Sequence, residues 1–173
     1  EEIDLFLREL SGALEEQGDR EVGELSLGDV GDLAADISVR LQAERFIRKS
    51  REVSFWRPGV GHLMNDDKST GALLIGADVA IVAGTIVGAY FLLPDAVQFD
   101  ELNYFEDSFA QIETAWKSTS FVDYLPSIGV VAGAVVVKGI LGYFAAQGAE
   151  RLARDRVENG VVTFEPFAVA GGA

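Results

Sequence analysis

Two stretches of this chain carry almost no charge, and each is long enough to cross a lipid bilayer as a helix. Residues 71–93 run for 23 positions with Asp78 as their one charged side chain. As a helix that length is about 35 Å, against about 30 Å of hydrocarbon in a bilayer. Residues 127–146 run for twenty positions with Lys138 as their one charge, or about 30 Å of helix. Ser69 or Thr70 can cap the first stretch and Pro94 stands past its end. Pro126 sits where a helix tolerates proline, at the start of the second. The spacing predicts an all-α fold: a two-span transmembrane hairpin with amphipathic helices outside it. The competing reading is a buried helical hairpin in a soluble core.

Small residues favour the membrane. Ala72, Gly76, Ala80, Gly84 and Gly88 recur every four positions, and Gly129 with Gly133 repeat the spacing in the second stretch, as do Gly142 and Ala146. In water a mid-helix glycine costs about 1 kcal/mol relative to alanine. In lipid, small-xxx-small rows let helix backbones approach closely. The row is therefore expected to be a helix-packing face.

Asp78 lies seven residues inside its stretch and Lys138 eight residues before the end of the other. In an antiparallel hairpin those depths differ by about one residue, roughly 2 Å. An ion near the bilayer centre costs about 2.5–3.5 kcal/mol on insertion scales. The eleven Leu, Ile, Val and Phe residues of the first stretch return roughly 3–6 kcal/mol. An Asp78–Lys138 ion pair, within a chain or between subunits, would relieve the strain. The alternative has Lys138 reaching outward and Asp78 meeting backbone or interfacial water.

Charge and apolarity are segregated. The 173 residues have a net charge of −14 and are 49% hydrophobic, and the mean hydropathy is +0.19. Residues 1–39 hold twelve acids against Arg8 and Arg20, a balance of −10; residues 94–124 balance at −6. Residues 40–57, with six basic side chains including Arg48, Lys49, Arg51 and Arg57, balance at +4. A chain this acidic is no general nucleic-acid binder. With no cysteine and His62 as the single histidine, thiolate zinc sites, iron–sulfur clusters, cysteine nucleophiles and multi-histidine sites are excluded. No metal site or cofactor is expected.

The chain divides into residues 1–57, acidic helices ending in a basic collar; residues 58–147, the hairpin; and residues 148–173, a charged helix end and tail. Ile3, Phe6, Leu7, Leu10 and Leu14 predict an amphipathic helix over 2–16, followed by a linker to about Gly28. A second helix is expected from about Asp29 to Ser54, with Val30, Leu33, Ala34, Ile37, Leu41 and Ile47 on one face. Its basic end suits both the helix dipole and anionic lipid. Phe55 and Trp56 then form an interfacial anchor. Between the spans, Leu102, Phe105, Phe109, Ile112 and Trp116 are spaced as one helical stripe that would dock on a protein partner. The last helix is expected to continue past Ala146 to Asn159-Gly160, and residues 161–173 to form a short strand or a docking arm.

Basic residues flank the outer ends of the hairpin, which by the positive-inside rule places both termini in the cytoplasm. The chain starts at Glu1 without an initiator Met, as at a cut boundary or after removal of a signal peptide. A cleaved signal would put the N-terminus outside. Residence in another bacterial membrane, or hairpin insertion after secretion, reconciles the two.

The segment Arg57-Pro58-Gly59-Val60-Gly61-His62-Leu63-Met64-Asn65-Asp66-Asp67-Lys68, followed by Gly71-Ala72-Leu73-Leu74, resembles the Pro-Gly-x-Gly turn, polar segment and glycine-led membrane helix of small bacterial two-span families. It looks most like the spirochaete thirteen-kilodalton outer-membrane protein family, over about residues 55–93. That resemblance implies a helical envelope protein with channel activity, and it brings no catalytic residue. From the residues themselves, the turn is a hinge from membrane surface into bilayer, and His62 an interfacial loop residue. Asp66-Asp67 lacks the alternating spacing of a calcium loop.

No nucleophile stands beside a base, and no glycine cluster ends in the Lys-Ser/Thr of a phosphate-binding loop. An enzyme is not expected. The expected function is a small integral membrane protein that assembles with copies of itself into a structural complex or array in a bacterial envelope. The alternatives are an oligomeric channel lined by Asp78 and Lys138, and an accessory subunit of a larger membrane complex. The expected partners are membrane lipid, further copies of the chain or other membrane subunits.

Overall fold

The computed structural model describes residues 27–166 together with Arg8 and Gly12, and the described chain is all-helical. The helix expected over 2–16 lies outside the described residues, apart from Arg8 and Gly12, which are helical, and so does the linker after it, apart from Leu27 and Gly28, which open the next helix. The long helices are α1 (Leu27–Trp56), α3 (Lys68–Phe91) and α5 (Phe121–Glu158); α2 (Val60–Met64) and α4 (Phe109–Ser118) are short. Two of them, α3 and α5, are long and apolar enough to cross a membrane.

The 38-residue α5 is a spine of about 57 Å. α3 runs antiparallel along its first half, and α1 runs antiparallel along its second half. The boundary expected at residue 147 therefore falls inside one continuous helix. At its far end, Ser127 donates to the Ala89 carbonyl at 2.9 Å and joins α5 to α3. Helix α5 starts earlier than expected. Ser120 and Asp123 form a capping box ahead of Pro126, which consequently lies inside the helix. It ends at Asn159, and Gly160 follows at φ 67. Helix α3 is capped by Asp67, whose side chain accepts from Thr70 N–H, in place of the expected Ser69 or Thr70.

The small-residue row is not the seam between α3 and α5. Gly76, Gly84, Gly129 and Gly133 have nothing within 4 Å of an added Cβ, and of the row only Gly88 approaches α5, through Val130 at 3.5 Å. Ala72 and Ala80 are exposed. The less exposed positions of α3 include Asp78, Ile81, Thr85 and Gly88, and those of α5 include Val130, Ala134, Lys138 and Leu141. The reason is angular. Asp78 faces Lys138, and Gly76 and Ala80, two residues away on either side, lie about 200° round the helix. A packing row and an ion pair at these positions cannot share one partner helix.

Close packing occurs instead where α1, α2 and α5 meet. Ser50, Ser54, Ala149 and Ala153 are 0% exposed. A Cβ on Gly142 would stand 2.4 Å from the Phe55 carbonyl, and one on Gly61 would stand 2.2 Å from the Ser50 carbonyl and 2.9 Å from Ala149 Cβ. Gly59 adopts φ 95 and faces the Gly71 carbonyl at 2.3 Å from an added Cβ, so it is fixed by conformation and by space. On α1, Ile37 and Leu41 are buried as expected, with Leu33, Ala34 and Ile47 partly covered; the Val30 side chain lies outside the described residues.

The segment between the spans departs from expectation. Leu102, Phe105, Phe109, Ile112 and Trp116 do not share a helix, because Ser108 and Gln111 form a capping box that starts α4 at Phe109. Leu102 is buried in the preceding loop with Val97, whereas Phe105 is 92% exposed. Tyr90, Phe99 and Tyr104 meet in sequence over the end of α3, the last two edge to face, and Trp116 stacks on Tyr124 at 5.5 Å. The tail touches α1 at Phe164 and Glu165. Phe164 meets Phe46 at 6.0 Å and Gln42 donates to the Glu165 carbonyl at 2.9 Å; residues 161–166 form no strand, and the rest of the tail lies outside the described residues.

Gly61→Ala is expected to lower the unfolding midpoint in detergent by about 2–12 °C, since forcing a methyl group into packed backbone costs about 1–3 kcal/mol. Gly139→Ala, at a glycine with nothing within 4 Å, should leave it unchanged or raise it.

Candidate functional site

The α1–α2–α5 junction encloses a polar cluster that the sequence pattern did not reveal. Ser54 Oγ accepts from Gly61 N–H at 2.9 Å. Asn65 Nδ2 donates to Ser50 Oγ at 3.2 Å and to the Gly61 carbonyl at 2.7 Å. Asn65 is 2% exposed and His62 is 6% exposed. From α5, Arg156 donates to the Asn65 carbonyl and pairs with Asp66 at 3.1 Å. Asp66 has φ 59, a left-handed conformation that an aspartate tolerates and that turns the chain from α2 into α3. The turn's polar groups thereby tie three helices together.

His62 lies on α2 beside this network and is not a loop residue. Its Nδ1 lies 3.1 Å from Asp67 Oδ2, and its other edge faces Gly148, where a Cβ would stand 3.0 Å from Nε2. The buried ring lies between a carboxylate and the α5 backbone. Asp67 serves twice, as partner of His62 and as cap of α3. Hydrogen bonds from Thr70, through its side chain and then its backbone, and next from His62, lower its pKa from 3.8 to about 2. Asp66 and Asp67 are thus engaged by Arg156 and by His62 and Thr70, and among the described residues no group of acids or histidine could hold a metal ion.

The second site is the pair the spacing pointed to. Lys138 Nζ donates to Asp78 Oδ1 within one chain. The Asp78 side chain is 21% exposed and that of Lys138 is 40% exposed, so the pair sits at the edge of the α3–α5 seam. Beside it, Ile81, Thr85, Val131 and Ala134 line a small cavity of about 190 Å³. Thr85 donates to the Ile81 carbonyl at 2.6 Å, which leaves that cavity apolar. The structure thus brings Asp78 and Lys138 together, turns the small-residue row away from both, and divides the aromatic stripe between a loop and α4. Ser50, Ser54, Asn65 and Arg156 carry no local sequence signal. Their roles depend on contacts between residues up to 91 positions apart.

Asp78→Lys or Lys138→Asp alone is expected to cost about 2 kcal/mol or more of stability, and the double exchange to recover most of it, as read from unfolding midpoints. A double variant no better than the singles would contradict the pairing. Because the folded pKa of Asp67 lies below its ordinary value, its charge supports the fold fully above about pH 4, and that support is lost as pH falls from 3.8 through about 2. The difference in unfolding midpoint between wild type and Asp67→Asn should therefore be constant at neutral pH and shrink over that acid window.

No protein-family model matches the chain, and neither a curated protein nor a solved structure is significantly similar to it.

Proposed function

We propose that this chain is a small integral membrane protein, with α3 and α5 crossing the bilayer as an antiparallel hairpin, and that its copies assemble into an oligomeric structural complex of a bacterial envelope. The observation that carries this reading is the uncovered small-residue row. Gly76, Gly84, Gly129 and Gly133 are open on the outside of the hairpin, flanked by exposed Leu73, Val79, Ile86, Val136 and Ile140. In water such a surface would be a large apolar patch. In lipid it is the normal exterior of a span, and the glycines admit a neighbouring helix.

The mutual pairing of Asp78 and Lys138 inside one chain favours a structural complex over a channel, the activity that the spirochaete resemblance implies, because a conducting path would have to separate them. The extracted particle tests the reading. Native mass spectrometry should find multiples of the single chain, and Gly76→Leu with Gly84→Leu should reduce them to monomer at an unchanged unfolding midpoint. A wild-type monomer would contradict self-assembly. A particle containing other chains would favour an accessory subunit.

A further inference from the structure

The C-terminal end of α1 lies deeper along the hairpin than the start of α3. Phe55 contacts Gly142 and Gly59 contacts Gly71, Leu74 and Ile75, whereas His62 contacts Gly148 and Arg51 pairs with Glu150 at 3.4 Å. Arg57, immediately before the turn, is therefore level with the part of α3 between Gly71 and Ile75, about 5–10 Å below Lys68 at the helical rise. It is the tip of a re-entrant element that goes down along α1 and returns through α2.

Arg57 is exposed and makes no ion pair or hydrogen bond through its side chain among the described residues. Its neighbour Trp56 is 75% exposed and forms a ridge between two adjoining crevices. One, of about 420 Å³, is lined by Glu52, Val53, Trp56 and Arg57. The other, of about 310 Å³, is lined by Arg51, Glu52, Phe55, Trp56, Tyr143, Ala146 and Gln147. Toward the hairpin the surface continues as exposed Phe144, Ile140 and Val136, which are 64%, 53% and 62% exposed. Glu52 is the one acid in either lining, and it is drawn toward Arg48 at 4.0 Å.

We propose that this surface is a binding site for an anionic phospholipid, with the guanidinium of Arg57 on the lipid phosphate, Trp56 at the glycerol level and the acyl chains along α5. The inference rests on the membrane reading above. Only an amphiphile matches an unpaired cation beside a tryptophan whose other side opens toward an apolar strip of α5; a free phosphate would gain nothing from the strip, and an acidic peptide nothing from its depth. Arg recognises phosphate with a planar fork of donors, and Trp favours the bilayer interface. The acids of the inter-helix segment do not oppose this. The acidic segment 94–124 lies at the other end of the hairpin, well beyond a Debye length of about 10 Å.

The chain has two tryptophans, so in a Trp116→Phe background Trp56 is the sole indole reporter. The protein is reconstituted in phosphatidylcholine vesicles, with either brominated phosphatidylcholine or brominated phosphatidylglycerol replacing part of the lipid. The site predicts about five-fold local enrichment of the anionic lipid, the effect of one basic residue near a membrane surface. Half-quenching should come at about one-fifth of the mole fraction needed with the neutral quencher. Arg57→Gln should abolish the preference and Arg57→Lys retain most of it. Equal quenching by both lipids, or a preference unchanged in Arg57→Gln, overturns the site while leaving the hairpin in the membrane. Loss of the preference in inorganic phosphate, but not in chloride of equal ionic strength, overturns it in favour of a soluble anion. No quenching by either lipid overturns the membrane reading along with it.

Discussion

Gly61 lies where a single methyl group would collide with two helices at once, at 2.2 Å from the Ser50 carbonyl and 2.9 Å from Ala149. That close approach fixes α2 between α1 and α5, and the rest of the arrangement follows from it. With Gly61 in place, its N–H reaches Ser54 and its carbonyl reaches Asn65, so the backbone of the turn is satisfied by side chains buried on either side. His62 then meets Gly148 on α5, and Asp67 is brought to the start of α3 to cap it. A buried turn without those partners would leave backbone polar groups unpaired, at a cost of about 1–3 kcal/mol each.

The junction also explains why charge is distributed as it is. The basic collar of α1 has an acid of α5 near it, Glu150 for Arg51, and the turn's Asp66 pairs with Arg156 of α5. These contacts join the N-terminal and C-terminal ends of the described chain at one end of the α3–α5 pair. The opposite end is held by hydrogen bonds of the loop, among them Tyr104 to the Val97 carbonyl and Phe99 N–H to Tyr90. It is closed by rings, Tyr90, Phe99 and Tyr104, and by a Ser127–Ala89 hydrogen bond. One end is tied by polar contacts among three helices and the other by a compact acidic loop.

Much of this was legible in the sequence, and the failures have physical causes. Long uncharged runs announce their helices because period and length survive any tertiary context, and the depth of Asp78 against Lys138 follows from helical rise alone. The small-residue row was equally visible, but its partner was not. Rotation about the helix axis is set by Asp78, and the same rotation turns Gly76 and Ala80 outward. The stripe through Leu102 and Trp116 has helical spacing, yet the Ser108–Gln111 capping box starts a helix in its middle, and local capping outweighs a weak periodic pattern. The polar cluster around Asn65 left no trace, because it is built from single residues of α1, α5 and the turn that only the fold assembles.

The arrangement predicts that both ends of the described chain lie on one side of a membrane and the inter-helix loop on the other. The chain has no cysteine, so single introduced cysteines are unambiguous reporters. With a membrane-impermeant maleimide applied to sealed, oriented vesicles, Arg40→Cys and Arg154→Cys should react from the same side, Glu106→Cys only from the opposite side, and Val135→Cys from neither. Reaction of Glu106→Cys from the same side as Arg154→Cys, or free reaction of Val135→Cys from water, would contradict a membrane-spanning hairpin.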